Sequence, residues 1–185
     1  MSFLRVYRRR DDATLEFREA WYDDEAAQFV VNHGVVGHVS TTKETNDVDA
    51  AAAEGLLDAF ASQCEEDGFA EVPEAAQDRV AAQFALKSQA GTERDRFLEQ
   101  QAVRALTGHL AWRGLGTVEE SSIGAGRLTI FMRTVDAAKA VTAIKTCLRE
   151  NTSDFTKLSI AVARADAPED FKLRHAPTGI HSFSL

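Results

Sequence analysis

The sequence predicts an α+β protein in two parts. Three observations lead there. Apolar residues alternate in short runs at the start, take up helical stripes in the middle and alternate again after Gly114. Pro73 interrupts the pattern just after the first helical stripe. The charge changes sign at the same place: residues 1–74 hold 6 Lys/Arg against 17 Asp/Glu, a net of −11, and residues 75–185 hold 15 against 12, a net of +3. Together they make the formal −8 of the 185-residue chain. The expected domains are residues 1–72, a small antiparallel sheet plus a helix, and residues 73–185, a helical pair followed by a ββαββ sheet covered by a helix.

Phe3-Leu4-Arg5-Val6-Tyr7 and residues 14–20 read as strands, with Asp11-Asp12 as the turn between them. Phe29-Val30-Val31 continues the sheet. Residues 32–37, with two glycines, suit a turn, and residues 38–42 resume extended structure. A helix follows, capped by Asn46 or Asp47. Its apolar stripe is Val48, Ala52, Leu56, Phe60 and Cys64, flanked by Ala53 and Leu57. Gly68 and Phe69 suit its exit.

Residues 74–90 read as a second helical stretch around Val80, Phe84 and Leu86. Thr92 and Asp95 resemble a capping box for a third helix over 93–112, with Phe97, Leu98, Ala102, Leu106 and Leu110. Residues 117–121 and 128–135 flank glycines 124 and 126, a hairpin pattern. Asp136 caps a helix over 137–150. Leu158, Ile160 and Val162 alternate in the next strand, and Phe171, Leu173 and His175 in the last.

With 44% hydrophobic and 27% charged residues the chain is neither disordered nor fibrous. No apolar run spans a bilayer, and Met1-Ser2-Phe3-Leu4-Arg5 lacks the plan of a signal peptide. A cytoplasmic protein with free thiols and no membrane association is expected. Cys64 and Cys147 lie on apolar helical faces, where a thiol is structural. His33 and His38 flank the glycine turn without a third ligand in register, so no metal or cofactor is expected. Gly124-Ala125-Gly126 leads into a strand and not a helix, which suits a hairpin better than a phosphate loop. Glu119-Glu120 and Glu65-Glu66-Asp67 lack the geometry of a paired-carboxylate site, and Ser121-Ser122 lacks a nucleophile frame. No catalytic residue is assigned.

Two places invite a binding role. Arg5, Arg8, Arg9 and Arg10 are four cations near the start, suited to phosphate contact or to a solvated strand end balanced by Asp11 and Asp12. Trp112-Arg113-Gly114-Leu115-Gly116 is a sharp helix-to-strand corner. Trp112 there serves as a core plug or, with Arg113 and Glu119, as the floor of a groove.

The aromatic start Phe3–Tyr7, the extended Leu15-Glu16-Phe17, the turn His33–Gly37 and the helix exit Gly68-Phe69 together resemble the WGR domain over residues 1–72. The family's Trp-Gly-Arg falls on His33-Gly34-Val35, of which Gly34 matches. The resemblance implies a small sheet-plus-helix fold and an accessory role on nucleic acid, for which Arg5, Arg8, Arg9 and Arg10 are the available cations. Residues 112–126 are similar to a string in small bacterial proteins of unknown function, which implies no activity.

The net charge of −11 on the first part argues against duplex binding, since affinity for nucleic acid rests on phosphate neutralisation. The leading expectation is therefore a non-catalytic interaction or regulatory protein. Its acidic part would face a basic protein partner, in the manner of an immunity protein or antitoxin. The nucleic-acid accessory and an enzyme with a groove near Trp112 are the alternatives.

Overall fold

Alternation in the first forty-five residues is converted into an antiparallel meander. In the computed structural model, which describes residues 3–185, β1 (Phe3–Arg9), β2 (Leu15–Asp23), β3 (Gln28–Val35) and β4 (Thr41–Thr45) lie side by side in that order. The register sets Tyr7 opposite Phe17, Phe17 opposite Gly34, and Ala20 opposite Val31. One face carries Leu4, Val6, Ala20, Phe29 and Val31. It packs on α1 (Ala50–Glu66) through Ala53, Leu57, Phe60 and Cys64.

Those four helical positions follow the 3.6-residue period. The expected stripe, spaced four apart, drifts off the face: Leu56 is exposed and Ala52 points to water. The helix is capped by Asp49, whose carboxylate accepts from the Ala52 amide at 2.8 Å, and not by Asn46 or Asp47. It ends as expected at Gly68. There Phe69 donates to the Cys64 carbonyl and Gly68 to the Glu65 carbonyl, the paired bonds of a Schellman motif. A second correction concerns residues 32–35. They extend β3, and the turn falls after them, because Glu19, Phe17 and Glu16 of β2 continue to pair with Asn32, Gly34 and Val35.

The largest correction is at residues 74–90. In place of a helix there is one short turn of 3-10 helix at Glu74–Ala76, then β5 (Asp78–Ala85). Val80 and Phe84 are four apart, a spacing that fits one face of a helix or of a strand equally well. Residues 80–84 are all buried, and antiparallel pairing on both edges, with Leu128–Thr134 and Leu158–Ala163, selects the strand. The helical pair is thus a single helix, α2 (Glu93–Ala111). It opens with the expected capping box: Thr92 donates to the Asp95 carboxylate, and the Asp95 amide returns to the Thr92 hydroxyl.

β6 (Gly116–Gly124) and β7 (Arg127–Thr134) form the expected hairpin. Its two-residue turn has Ala125 and Gly126 both at positive φ. α3 (Ala137–Asn151) starts on the Asp136 cap, and β8 (Leu158–Ala163) and β9 (Lys172–His175) complete the sheet. The strand order is β6-β7-β5-β8-β9, antiparallel throughout. From β5 to β8 the sequence of elements is βαββαβ with β5 and β7 central, a ferredoxin-like sheet extended by β9. Val80, Ala82, Phe84, Leu128, Ile130, Met132, Leu158 and Ile160 form its fully buried face under α2 and α3. The fold class is α+β with two antiparallel sheets and three α-helices among the described residues. No described helix is long and apolar enough to cross a membrane.

The chain divides into two units: residues up to Val72 with Trp112–Gly114, and Pro73–Ala111 with Leu115–Leu185. The corner at residues 112–116 is therefore shared out. In the first unit Ser40 donates to the Trp112 carbonyl and Gly37 to the Arg113 carbonyl. A Cβ at Gly114, whose φ is +59°, would meet the Phe17 ring at 2.3 Å. In the second unit the Leu115 amide returns to Leu110, and a Cβ at Gly116 would meet the Arg133 carbonyl oxygen at 1.9 Å. The plug is fully buried Leu115. Trp112 remains 42% exposed, which corrects the expectation of a buried ring.

Candidate functional site: an acid-rimmed cleft in the first unit

Strand alternation sends the arginines of β1 to opposite faces, so the four do not make one basic surface. Arg5 donates to Glu19 at 2.6 Å, with both side chains buried. Arg8 donates to Glu16 at 2.9 Å and to the Asp67 carbonyl at 2.8 Å. Arg10 takes the other Glu16 oxygen at 2.6 Å, and Arg9 donates to the Ala13 carbonyl at 3.1 Å. On the helix-covered face the guanidiniums of Arg8 and Arg18 lie 4.6 and 4.3 Å from the Phe69 ring centre. Arg18 also donates to Asp67 at 2.5 Å and holds that carboxyl below its usual range. Cys64 sits beside this group. Burial raises its thiol above the ordinary value against the opposing pull of Arg18.

Glu16, Glu19 and Asp67 thus pair with Arg5, Arg8, Arg10 and Arg18 at one part of the unit, Glu16 serving two of them. The acids at the other end face no such set. Asp23 ends β2 and Asp24 and Glu25 follow it, and Asp47, Asp49, Glu54 and Asp58 precede or line the first turns of α1. Lys43 on β4 is the cation nearest to them along the sheet. Between the β2–β3 turn and α1 lies a cleft of about 280 Å³. Its floor is Tyr22, Phe29, Ala53 and Leu57, and its rim carries Asp24 and Glu54.

Ala53 and Leu57 are four apart on α1, and Glu54 is the next residue round the helix from Ala53. Tyr22 is fixed by donating to the Val48 carbonyl at 2.9 Å. Its partial burial, then the carboxylates of Asp24, Asp49 and Asp23, hold the phenol above its usual value. The negative field at the cleft mouth therefore has named sources. An apolar floor under a carboxylate rim accepts the aliphatic stem and the charged head of a lysine or arginine. Sequence reasoning missed these residues. The signal available was Tyr22 running directly into Asp23-Asp24-Glu25.

The other expected site residues are dispersed. Trp112 and Arg113 belong to the first unit and Glu119 to the second. Glu119 lies at a bulge in β6 and pairs with Arg133 and, at 3.9 Å, with Arg79. Among the described residues no three His, Cys, Asp or Glu side chains are grouped to hold a metal. Compared with protein-family models, curated proteins and solved structures, the chain matches none.

Proposed function

We propose that the first unit is a non-catalytic docking module that seats a basic segment of a partner protein in the Tyr22–Leu57 cleft. The observation that carries this reading is the cleft's composition: an aromatic and aliphatic floor of about 280 Å³ with Asp24 and Glu54 at its rim. Two further facts support it. The net charge of residues 1–74 is −11. Four of the six cations in that stretch are tied to Glu16, Glu19 and Asp67, and no ion pair among the described residues engages Asp24 or Glu54.

Complementary charge accelerates encounter and rejects wrong partners more than it adds affinity. The apolar floor then supplies the contact that holds a seated side chain. An immunity- or antitoxin-like use against a basic protein accords with this chemistry. The same charge distribution disfavours a nucleic-acid role for this unit, because Arg5, Arg8 and Arg10 are engaged by carboxylates of their own sheet.

Fluorescence anisotropy tests the reading with a labelled Lys/Arg-rich peptide, an acidic peptide and duplex DNA, each over a range of salt. The basic peptide should bind, weaken as salt rises, and lose affinity about tenfold in Asp24→Asn/Glu54→Gln. Leu57→Ser should weaken it at every salt concentration. Binding of DNA in preference to the peptide, or peptide binding indifferent to both variants, would overturn the assignment.

A further inference from the structure

The second unit's sheet has one face under α2 and α3. Across the opposite face runs the segment 176–185, which follows β9 and forms no strand of its own. Phe183 is anchored on Phe171 with ring centres 5.9 Å apart, and Phe171 in turn on Phe131 of β7 at 6.1 Å. Between this segment and the sheet is a chamber of about 480 Å³, within the range of small-ligand sites.

Its lining is chemically one-sided. It contains Arg127 and Lys157, the Gln83 amide and several hydroxyls, Ser159 among them, and no aspartate or glutamate. Lys157 is already paired with Asp154 at 2.5 Å. Arg127 is different. Its guanidinium donates at 2.6 Å to the Ser184 carbonyl and at 3.0 Å to the Ser184 hydroxyl, both neutral acceptors. Gln83 donates to the same carbonyl oxygen at 3.3 Å, its amide oriented by a second bond to Thr129 at 3.1 Å. Two donors from adjacent central strands therefore converge on one oxygen, and that oxygen belongs to the segment that Phe183 anchors.

We propose that this chamber binds a small phosphate ester, with a phosphate oxygen replacing the Ser184 carbonyl between Arg127 and Gln83. A guanidinium-to-phosphate bond joins two opposite charges, where the bond to the Ser184 carbonyl has only one, so the anion displaces Ser184 from the two donors while Phe183 stays on its ring. The ester's organic part then lies against Ile180 and Phe183. The second unit holds 14 Lys/Arg against 13 Asp/Glu, a net of +1, where the first unit carries −9, so an anion is better tolerated here. The site shares no residue with the acid-rimmed cleft, so each stands or falls alone.

The test is titration calorimetry on the full chain with 3-phosphoglycerate, inorganic phosphate and, as the uncharged control, glycerol. The phosphate ester should bind best, inorganic phosphate more weakly and glycerol not at all. Arg127→Gln should weaken the ester at least tenfold, and Ser159→Asp, which adds a carboxylate to the chamber, should abolish binding. Arg164→Gln, an exposed cation outside the chamber, should leave it unchanged. In amide spectra the ester should shift Gly126 and Ser184. No heat from either phosphate probe, or equal affinity in wild type and both chamber variants, overturns the proposal. So does an Arg164→Gln loss matching that of Arg127→Gln.

Discussion

Asn32 donates to Glu19 at 2.8 Å across β3 and β2, and both side chains are almost wholly out of water. The pair is the centre of a row that crosses all four strands. Arg5 holds the second Glu19 oxygen at 2.6 Å, and Thr42 donates to Asn32 at 2.6 Å. Both Glu19 oxygens and the Asn32 side-chain oxygen thus have a donor, which is the condition under which a buried polar chain is tolerated.

Glu19→Gln should therefore destabilise the first unit by about 2–4 kcal/mol, although it keeps the shape. Its amide group must face a donor, either Arg5 or Asn32, and one buried group loses its acceptor. Chemical denaturation of wild type and variant measures the difference. A loss under about 0.5 kcal/mol would show that the row is hydrated in solution.

At the helix-to-strand corner the ranking of substitutions follows from burial. Trp112→Ala should cost about 1–2 kcal/mol, below the 3–5 typical of a fully buried Trp, because much of the ring is already in water. Gly114→Ala should cost about 2–4 kcal/mol, since the new methyl meets the Phe17 ring in a left-handed backbone conformation. Thermal melts of the two variants check the order.

Cys64 and Cys147 should react slowly with Ellman's reagent in the native protein and at once when denatured. Both are 1% exposed, and burial raises the Cys64 thiol. Immediate reaction of either in the native state would contradict this.

Asp154 should make the second unit acid-sensitive. It accepts from Lys157 at 2.5 Å and from Arg94 at 2.9 Å, and Lys157 above all holds its carboxyl below the ordinary 3.8. A folded-state value below the unfolded one stabilises the protein fully above the unfolded value, and the contribution is lost as pH falls through the folded one. Asp154→Asn should thus cost about 1–2 kcal/mol at pH 7 and show a shallower loss of stability below about pH 4. Melting temperatures between pH 2.5 and pH 7 test the sign.

Local signals in the sequence were sufficient wherever a single period or cap decided the matter. The Schellman exit at Gly68-Phe69, the Thr92–Asp95 capping box, the Ala125-Gly126 hairpin turn and α3 behind Asp136 are all short-range, so a few neighbouring residues specify them. Segment 78–85 was not of that kind. A spacing of four between Val80 and Phe84 suits helix and strand alike, and pairing with β7 and β8, some fifty and eighty residues later, selects the strand.

The two candidate sites were hidden for the same reason. Tyr22 meets Leu57, and Gln83 meets Arg127 and Ser184, only after long-range pairing has closed the sheets. By itself the sequence determined the α+β class, the charge division near Pro73, the burial of both cysteines and most helix limits, because composition and local hydrogen-bonding geometry carry that information. Tertiary structure alone decided which arginines are neutralised and which face of each sheet stays open. Those outcomes depend on side chains brought together from distant strands, and no local pattern encodes them.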